Sequence, residues 1–318
     1  MRVLVTGSTG FVGHALVKRL IDIPSVTPIA GCRRANTVDF GCETYVLGDL
    51  TEPVNLTERL RGVDVIVHTA ARAHVLNVGD PLAERAEFES VNVAATRRLA
   101  IAARRAGVRR LIFLSSIGVH GDRTENPFTA DSPFDPRSAY AHSKAQAEAA
   151  LQEVLAGSDT EWVVIRPPLV YGPNAPGNMQ KLLGLVLRAP PIPLAHVNNQ
   201  RSLVALPNLL DLVLTCATHT EAAGRAWLVA DGVDLSTPRL IRELADGMGR
   251  PARLFPMPMS WLKALGKVTG RAGTISSLTD DLQLDIQATR ERLGWKPVIR
   301  PEPVLRHTAA WFRHQRRY

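Results

Sequence analysis

VLVTGSTGFVG, residues 3–13, decides the fold of this chain. Residues 3–6 read as a short buried strand. Phe11, Val12, Ala15, Leu16 and Leu20 then recur at helical spacing. The glycines between strand and helix have separate tasks. Gly7 permits a tight turn, Gly10 lets the backbone approach a pyrophosphate, and Gly13 allows the helix to pack close to the strand. The helix N-terminus offers free N–H groups and positive partial charge to phosphates. Gly7, Thr9, Gly10, Phe11, Val12 and Gly13 are therefore the expected cradle of a dinucleotide.

Outward from this turn, strand patterns fall at 28–33, 44–49, 63–68, 111–115, 162–166 and 226–230, and helical patterns at 91–105, 139–155 and 206–217. This alternation predicts a Rossmann-type α/β fold, a doubly wound parallel sheet covered on both faces. After Arg166 the prolines 167, 168, 173, 176, 190, 191 and 193 are expected to break up regular structure. Shorter helical patterns follow at 238–248, 289–293 and 304–312. The expected division is a nucleotide-binding domain of 1–166 and 203–231, and a smaller discontinuous substrate lobe of 167–202 and 232–318.

The 318 residues suit that two-part arrangement, and 45% hydrophobic with 21% charged residues is ordinary for a soluble globular protein. No apolar run reaches the ~18 residues that span a bilayer. The N-terminus runs straight into the glycine motif and lacks the pattern of a secretory leader. Cys32, Cys42 and Cys216 are odd in number and have no metal-ligand spacing, so no metal is expected and a reducing cytoplasm is. A net charge of +8 favours anionic ligands. The basic tail at 313–317 could meet nucleic acid or anionic lipid, or be a solvated terminus. No aromatic–basic platform supports a nucleic-acid partner, while peripheral membrane contact stays open.

The string Ser138-Ala-Tyr140-Ala-His-Ser-Lys144 sets a phenol and an amine four residues apart, on one face of a helix. A phenol ordinarily ionises near ~10. A neighbouring ammonium favours the phenolate, so the pair is expected to pass a proton near neutral pH. His142 within the motif reads as a helix-surface residue. The end of the second strand carries Gly31-Cys32-Arg33-Arg34 and no acid. An acid there would bind a ribose 2′-hydroxyl, whereas arginine accommodates a 2′-phosphate. NADP(H) is therefore favoured over NAD(H), with Arg33 the main contact and Arg34 a second; both could instead be solvated loop charges. Asp49, followed by Leu50 after the third strand, suits the adenine amine or caps the next helix. The small residues Thr69, Ala70 and Ala71 end the fourth strand and let a dinucleotide lie over the sheet.

Together these residues resemble the extended short-chain dehydrogenase/reductase family of sugar-nucleotide epimerases, dehydratases and reductases. The likeness covers nearly the whole chain and includes Arg166-Pro167-Pro168-Leu-Val-Tyr171-Gly172-Pro173. It implies Tyr140 as general acid/base and Lys144 as the nicotinamide-ribose ligand. It also implies Ser116, rather than Ser115, as the hydroxyl that holds the reacting oxygen. The family aligns that hydroxyl four residues before an aromatic in a Val-Tyr-Gly triplet, here Val119-His120-Gly121, and His120 is a departure. Asn92 matches an asparagine that braces the catalytic region, or is an ordinary helix polar residue. By the same resemblance Pro167 borders the cofactor, and Arg201 and Asn178 hold a nucleotide diphosphate. A guanidinium binds phosphate oxygens in a fork, but Arg201 could also be a surface charge and Asn178 a turn residue.

The family's dehydratases carry an Asp-Glu pair directly after the catalytic hydroxyl. Ile117-Gly118 stands here and can transfer no proton, so dehydration is not expected. Residues 199–210, Leu282-Gln-Leu-Asp285 and Leu293-Gly-Trp295-Lys-Pro297 resemble bacterial UDP-4-keto-6-deoxy-N-acetylhexosamine 4-reductases of O-antigen synthesis. That resemblance implies NADPH-dependent C4 reduction of a UDP-sugar in lipopolysaccharide biosynthesis. The alternative is an NAD-dependent C4-epimerase of a UDP-sugar or a lipid-diphosphate-linked hexosamine. A homodimer built on the helices at 91–105 and 139–155 is the expected assembly.

Overall fold

The computed structural model describes residues 1–34, 38–52, 55–72 and 81–316. Seven parallel strands form the main sheet: β1 Arg2–Thr6, β2 Thr27–Cys32, β3 Glu43–Val46, β4 Val65–His68, β5 Arg110–Leu114, β6 Glu161–Arg166 and, after the short pair β7 Leu169–Tyr171 and β8 Leu203–Ala205, β9 Arg225–Leu228. Their order is β3-β2-β1-β4-β5-β6-β9. From β1 the chain first steps outward to β2 and later crosses to β4 on the other side. Their register sets Thr6 beside Gly31 on one flank and His68 on the other. Ligands of open parallel sheets sit at that reversal, beyond the carboxyl ends of the strands.

Helices α1 Phe11–Ile21, α2 Leu56–Arg59, α3 Pro81–Phe88, α4 Ala95–Ala106, α5 Ala139–Leu155, α6 Gly177–Arg188 and α7 Leu206–Thr218 surround the sheet and lead out of it. Leu16, Val17, Leu209 and Val213 of α1 and α7 fill one face. Leu99, Ala103, Ala147 and Leu151 of α4 and α5 fill the other. With both faces covered, the strands read as near-continuous apolar runs. The chain finishes with α8 Thr237–Gly247, α9 Met259–Val268, α10 Ala272–Thr279, α11 Gln287–Leu293 and α12 Pro301–Gln315.

The proline-rich segment is more regular than its composition suggests. Pro176 stands as the N-cap of α6, and the helix runs twelve residues before the next proline. Pro is tolerated at a helix start because its missing N–H has no intrahelical partner there. β7 and β8 form a separate parallel ladder. A second apolar cluster, with Tyr171, Met179, Leu183, Leu235, Leu244 and Phe312 at its centre, gathers between α6, α8 and α12. It supports the two-lobe division, which remains a proposal. Of the basic tail, residue 317 lies outside the described residues.

Candidate active site

Gly7 adopts φ +70°, the left-handed region, and a Cβ there would lie 2.6 Å from the Ala70 nitrogen. A Cβ at Gly13 would lie 2.2 Å from the Gly7 carbonyl oxygen and 2.7 Å from Thr69 Oγ1. Only hydrogen fits at both positions, so the first turn, the start of α1 and the end of β4 are pressed together. Thr69 Oγ1 donates to the Thr6 carbonyl at 2.7 Å and fastens that contact. No side chain caps Gly10, and no acid lies in the first turn of α1. Its N–H groups are thus open to a phosphate, and these residues fit a dinucleotide.

At the end of β2, Arg33 and Arg34 are exposed. Arg33 Nη1 lies 3.8 Å from Asp49 Oδ2. The other oxygen of Asp49 accepts from Thr51 N at 2.9 Å and Thr51 Oγ1 at 2.7 Å. Those bonds hold its carboxyl below the usual range. Asp49 thus closes its own turn and does not cap the next helix, whose N-cap is Asn55, and its second oxygen is left toward Arg33. Arg98 pins the same turn through the carbonyls of Leu50 and Thr51.

α5 begins at Ser138, whose Oγ accepts from Ala141 N at 3.1 Å. That cap sets the phase of the helix and turns Lys144 inward. Lys144 Nζ donates to the Leu114 carbonyl at 2.6 Å and lies 4.2 Å from the Phe113 ring centroid. Ser116 follows two residues later and caps the turn Ile117–Val119, accepting from Gly118 N at 3.1 Å. The Pro167 carbonyl accepts from Ile117 N at 2.9 Å, tying this turn to the end of β6. Tyr140 packs edge-on against Phe88, with centroids 6.0 Å apart. The amine and hydroxyl thus meet the ends of β5 and β6.

Burial reverses the expected acidification. It pushes the Tyr140 phenol up to about 12. It brings the Lys144 ammonium down to about 7, against the pull of Glu148. Burial disfavours the charged form of each group, the phenolate and the ammonium alike. His68, fully buried, falls to about 3, through burial and then the charge of Lys144.

Asn92 sits in a π-helical turn, Glu89–Ala94, between α3 and α4. Such widened turns recur at functional sites. Its Nδ2 donates to Ser143 Oγ at 2.9 Å, and its Oδ1 accepts from Arg72 N at 2.9 Å. Asn92 thus links this turn to the residue before Lys144.

Residues 3–230 match the NAD dependent epimerase/dehydratase family. The chain belongs to this family. It is 39% identical over 315 residues to a UDP-glucose 4-epimerase of Vibrio cholerae, covering 98% of this chain and 95% of the relative. It is 27% identical to the N-acetyl-alpha-D-glucosaminyl-diphospho-ditrans,octacis-undecaprenol 4-epimerase of Escherichia coli O157:H7, covering 87% and 83%. Among solved structures, the dTDP-glucose 4,6-dehydratase of Streptomyces venezuelae with NAD and TYD bound superposes with a TM-score of 0.78. It is 25% identical and covered to 98%, against 99% of this chain.

This epimerase/dehydratase-family chain also has a buried polar network that sequence reasoning missed. Ser115 Oγ is committed to Glu148, which separates it from the more open Ser116. Glu148 pairs with Arg166 at 2.7 Å, and both are buried. Arg166 Nη1 donates to the His120 ring at 2.9 Å and to the Ala130 carbonyl at 2.7 Å. His120 Nδ1 reaches the Pro133 carbonyl at 3.1 Å, and its ring lies between Phe128 and Phe134. Burial lowers the His120 pKa, consistent with a neutral ring that accepts from Arg166. Glu148 lies one helical turn after Lys144, the spacing that could have revealed it. Tyr171, in the Arg-Pro-Pro motif, donates to Asp231 Oδ2 at 2.6 Å and is a buried joint rather than a cleft residue.

A cavity of about 770 Å³ begins at His120 and Gly121 and is walled by Asn198, Asn199, Asp280 and Asp281. Neither Arg201 nor Asn178 lines it. Arg201 is half-buried and donates to the Asp280 carbonyl at 2.9 Å. Asn178 is exposed in the first turn of α6. The two expected diphosphate ligands are therefore set apart from this cavity and, in Arg201, already engaged with the protein.

Proposed function

We propose that this chain transfers hydride at C4 of a UDP-linked sugar. One observation carries the reading: Lys144, one helical turn after Tyr140, is locked onto the Leu114 carbonyl at the end of β5, two residues before Ser116, on the sheet whose first strand leads into the Gly7–Gly13 turn. NAD(P), when bound, supplies or takes the hydride. Gly7, Thr9, Gly10, Phe11, Val12 and Gly13 would hold its pyrophosphate, and Arg33, Arg34, Asp49 and Leu50 its adenosine end. Thr69, Ala70, Ala71 and Pro167 would border the nicotinamide, with Lys144 on the ribose. Tyr140 gives a proton to the developing C4 alkoxide, and Ser116 orients that oxygen. A Lys144 that titrates near neutrality can return the proton to the phenol. Asn178 and Arg201 would meet the diphosphate, which requires Arg201 to leave the Asp280 carbonyl.

The finer reading is NADPH-dependent reduction of a UDP-4-keto-6-deoxy-N-acetylhexosamine for surface polysaccharide, by a cytoplasmic homodimer. Two exposed arginines and no acid at the end of β2 support it. A second reading, NAD-dependent C4 epimerisation of a UDP-sugar or lipid-diphosphate-linked hexosamine, is favoured by the Vibrio cholerae relative. The deciding assay follows NADPH and NADH oxidation with a UDP-4-keto-6-deoxy-N-acetylhexosamine. Rapid oxidation of NADPH supports the reductase. Interconversion of two UDP-hexoses without added cofactor replaces it with the epimerase. Failure of both overturns C4 chemistry.

A further inference from the structure

We propose that the α9–α10 hairpin docks this chain on an anionic lipid surface. Helix α9 buries only Leu262 and Gly266, one turn apart. A Cβ at Gly266 would lie 2.8 Å from Ile275 Cγ1 of α10, so this face is the one turned to the protein. Away from it stand Trp261, Leu265 and Val268, exposed to 70%, 47% and 87%. Their spacing of four and three places them on a single stripe. Phe255, just before the helix, and Met259, its first residue, are exposed as well. Scattered exposed apolar residues are ordinary, whereas a contiguous patch marks an interaction surface.

Charge selects the occupant. Residues 247–279 contain Arg250, Arg253, Lys263, Lys267 and Arg271, and no Asp or Glu. All five cations are exposed, and none is ion-paired among the described residues. A second copy of the chain would set these cations against themselves across a two-fold axis. An anionic bilayer complements them. Apolar side chains enter the headgroup–acyl boundary while lysine and arginine meet the headgroups. An indole is suited to that boundary, with an apolar body and a polar N–H. Contact would be peripheral, since among the described residues no helix is long and apolar enough to cross a membrane.

The hairpin adjoins the cavity that begins at His120 and Gly121. Lys263 lines the 770 Å³ cavity, and with Lys267 and Arg123 a neighbouring one of about 200 Å³. Docking would therefore hold the cavity mouth close to the lipid surface. This inference is independent of which C4 reaction the site performs.

The test is co-sedimentation of the full chain with phosphatidylcholine vesicles, with and without phosphatidylglycerol, at low and high salt. Partition onto the anionic vesicles should be at least ~10-fold stronger and should weaken with salt. The combined variant Trp261→Ser, Leu265→Ser and Val268→Ser should lose at least ~10-fold of that partition, with an unchanged urea midpoint. Lys263→Gln with Lys267→Gln should lower it on anionic vesicles alone. Absence of vesicle binding by the wild type overturns the proposal, as does equal binding to neutral vesicles or binding that survives the triple substitution. A triple variant that instead dissociates an oligomer would make the stripe a contact between copies, and also overturns it.

Discussion

Asn92 Nδ2 donates to Ser143 Oγ at 2.9 Å, joining the π-helical turn before α4 to the residue that precedes Lys144. The same amide meets the Arg72 backbone twice, at 2.9 Å and 3.1 Å. Asn92→Ala strips the half-buried Arg72 backbone of its two bonds to the amide and Ser143 Oγ of a donor, which costs ~1–3 kcal/mol. The urea midpoint should fall accordingly. Because the amide positions the Lys144 turn, kcat should drop more than KM rises. A variant with wild-type midpoint and turnover would remove the brace from the argument.

Tyr140→Phe separates chemistry from folding. The Tyr140 hydroxyl makes no hydrogen bond among the described residues, so its loss should leave the unfolding midpoint unchanged. Turnover should fall at least ~10²-fold, the scale of a general acid. Turnover close to wild type would refute the assignment of Tyr140.

The cofactor turn was legible because glycine has few substitutes where backbones touch: Gly7 and Gly13 could be placed from spacing alone. So could the inward face of α5, since four residues separate Tyr140 from Lys144. The twelve residues of α6 are hidden in the sequence because prolines flank them on both sides, though Pro176 is a helix-start residue. The sign of the pKa shifts was hidden for another reason. Spacing shows which charges are near, but not how much water the fold removes. Glu148, Arg166 and His120 come from three separate segments, and only the packing of β6 against β5 and α5 brings them together.

The buried Lys144 ties stability to pH. Its pKa is near 10.5 in an unfolded chain and about 7 in the fold. Between those values the unfolded chain binds more protons, so stability rises with pH across that window. His68, about 3 folded against 6.5, extends the same slope downward into acid. Lys144→Met should therefore gain on the wild type at pH 6 and lose that advantage toward pH 10. Urea midpoints of both proteins across this range give the answer; parallel curves would show that Lys144 is not held neutral by burial.

Arg33 faces Asp49 at 3.8 Å and is exposed, so its substitution should not disturb the fold. Arg33→Ala should raise the KM for NADPH by at least ~10-fold, the worth of a charge-assisted contact, and leave that for NADH little changed. Equal effects on both cofactors would remove Arg33 from 2′-phosphate recognition and strengthen the epimerase reading.

Glu148 and Arg166 are the charges the fold can least separate. The pair is closed at 2.7 Å and buried, and Arg166 also holds His120 and the Ala130 carbonyl. Glu148→Ala strands a buried guanidinium and should cost ~3–5 kcal/mol. Replacing both, Glu148→Leu with Arg166→Met, removes the unpaired charge and should recover part of that loss, although His120 and Ala130 then lose their donor. A double-mutant cycle in urea measures the coupling. Additive losses would show that the two side chains act independently.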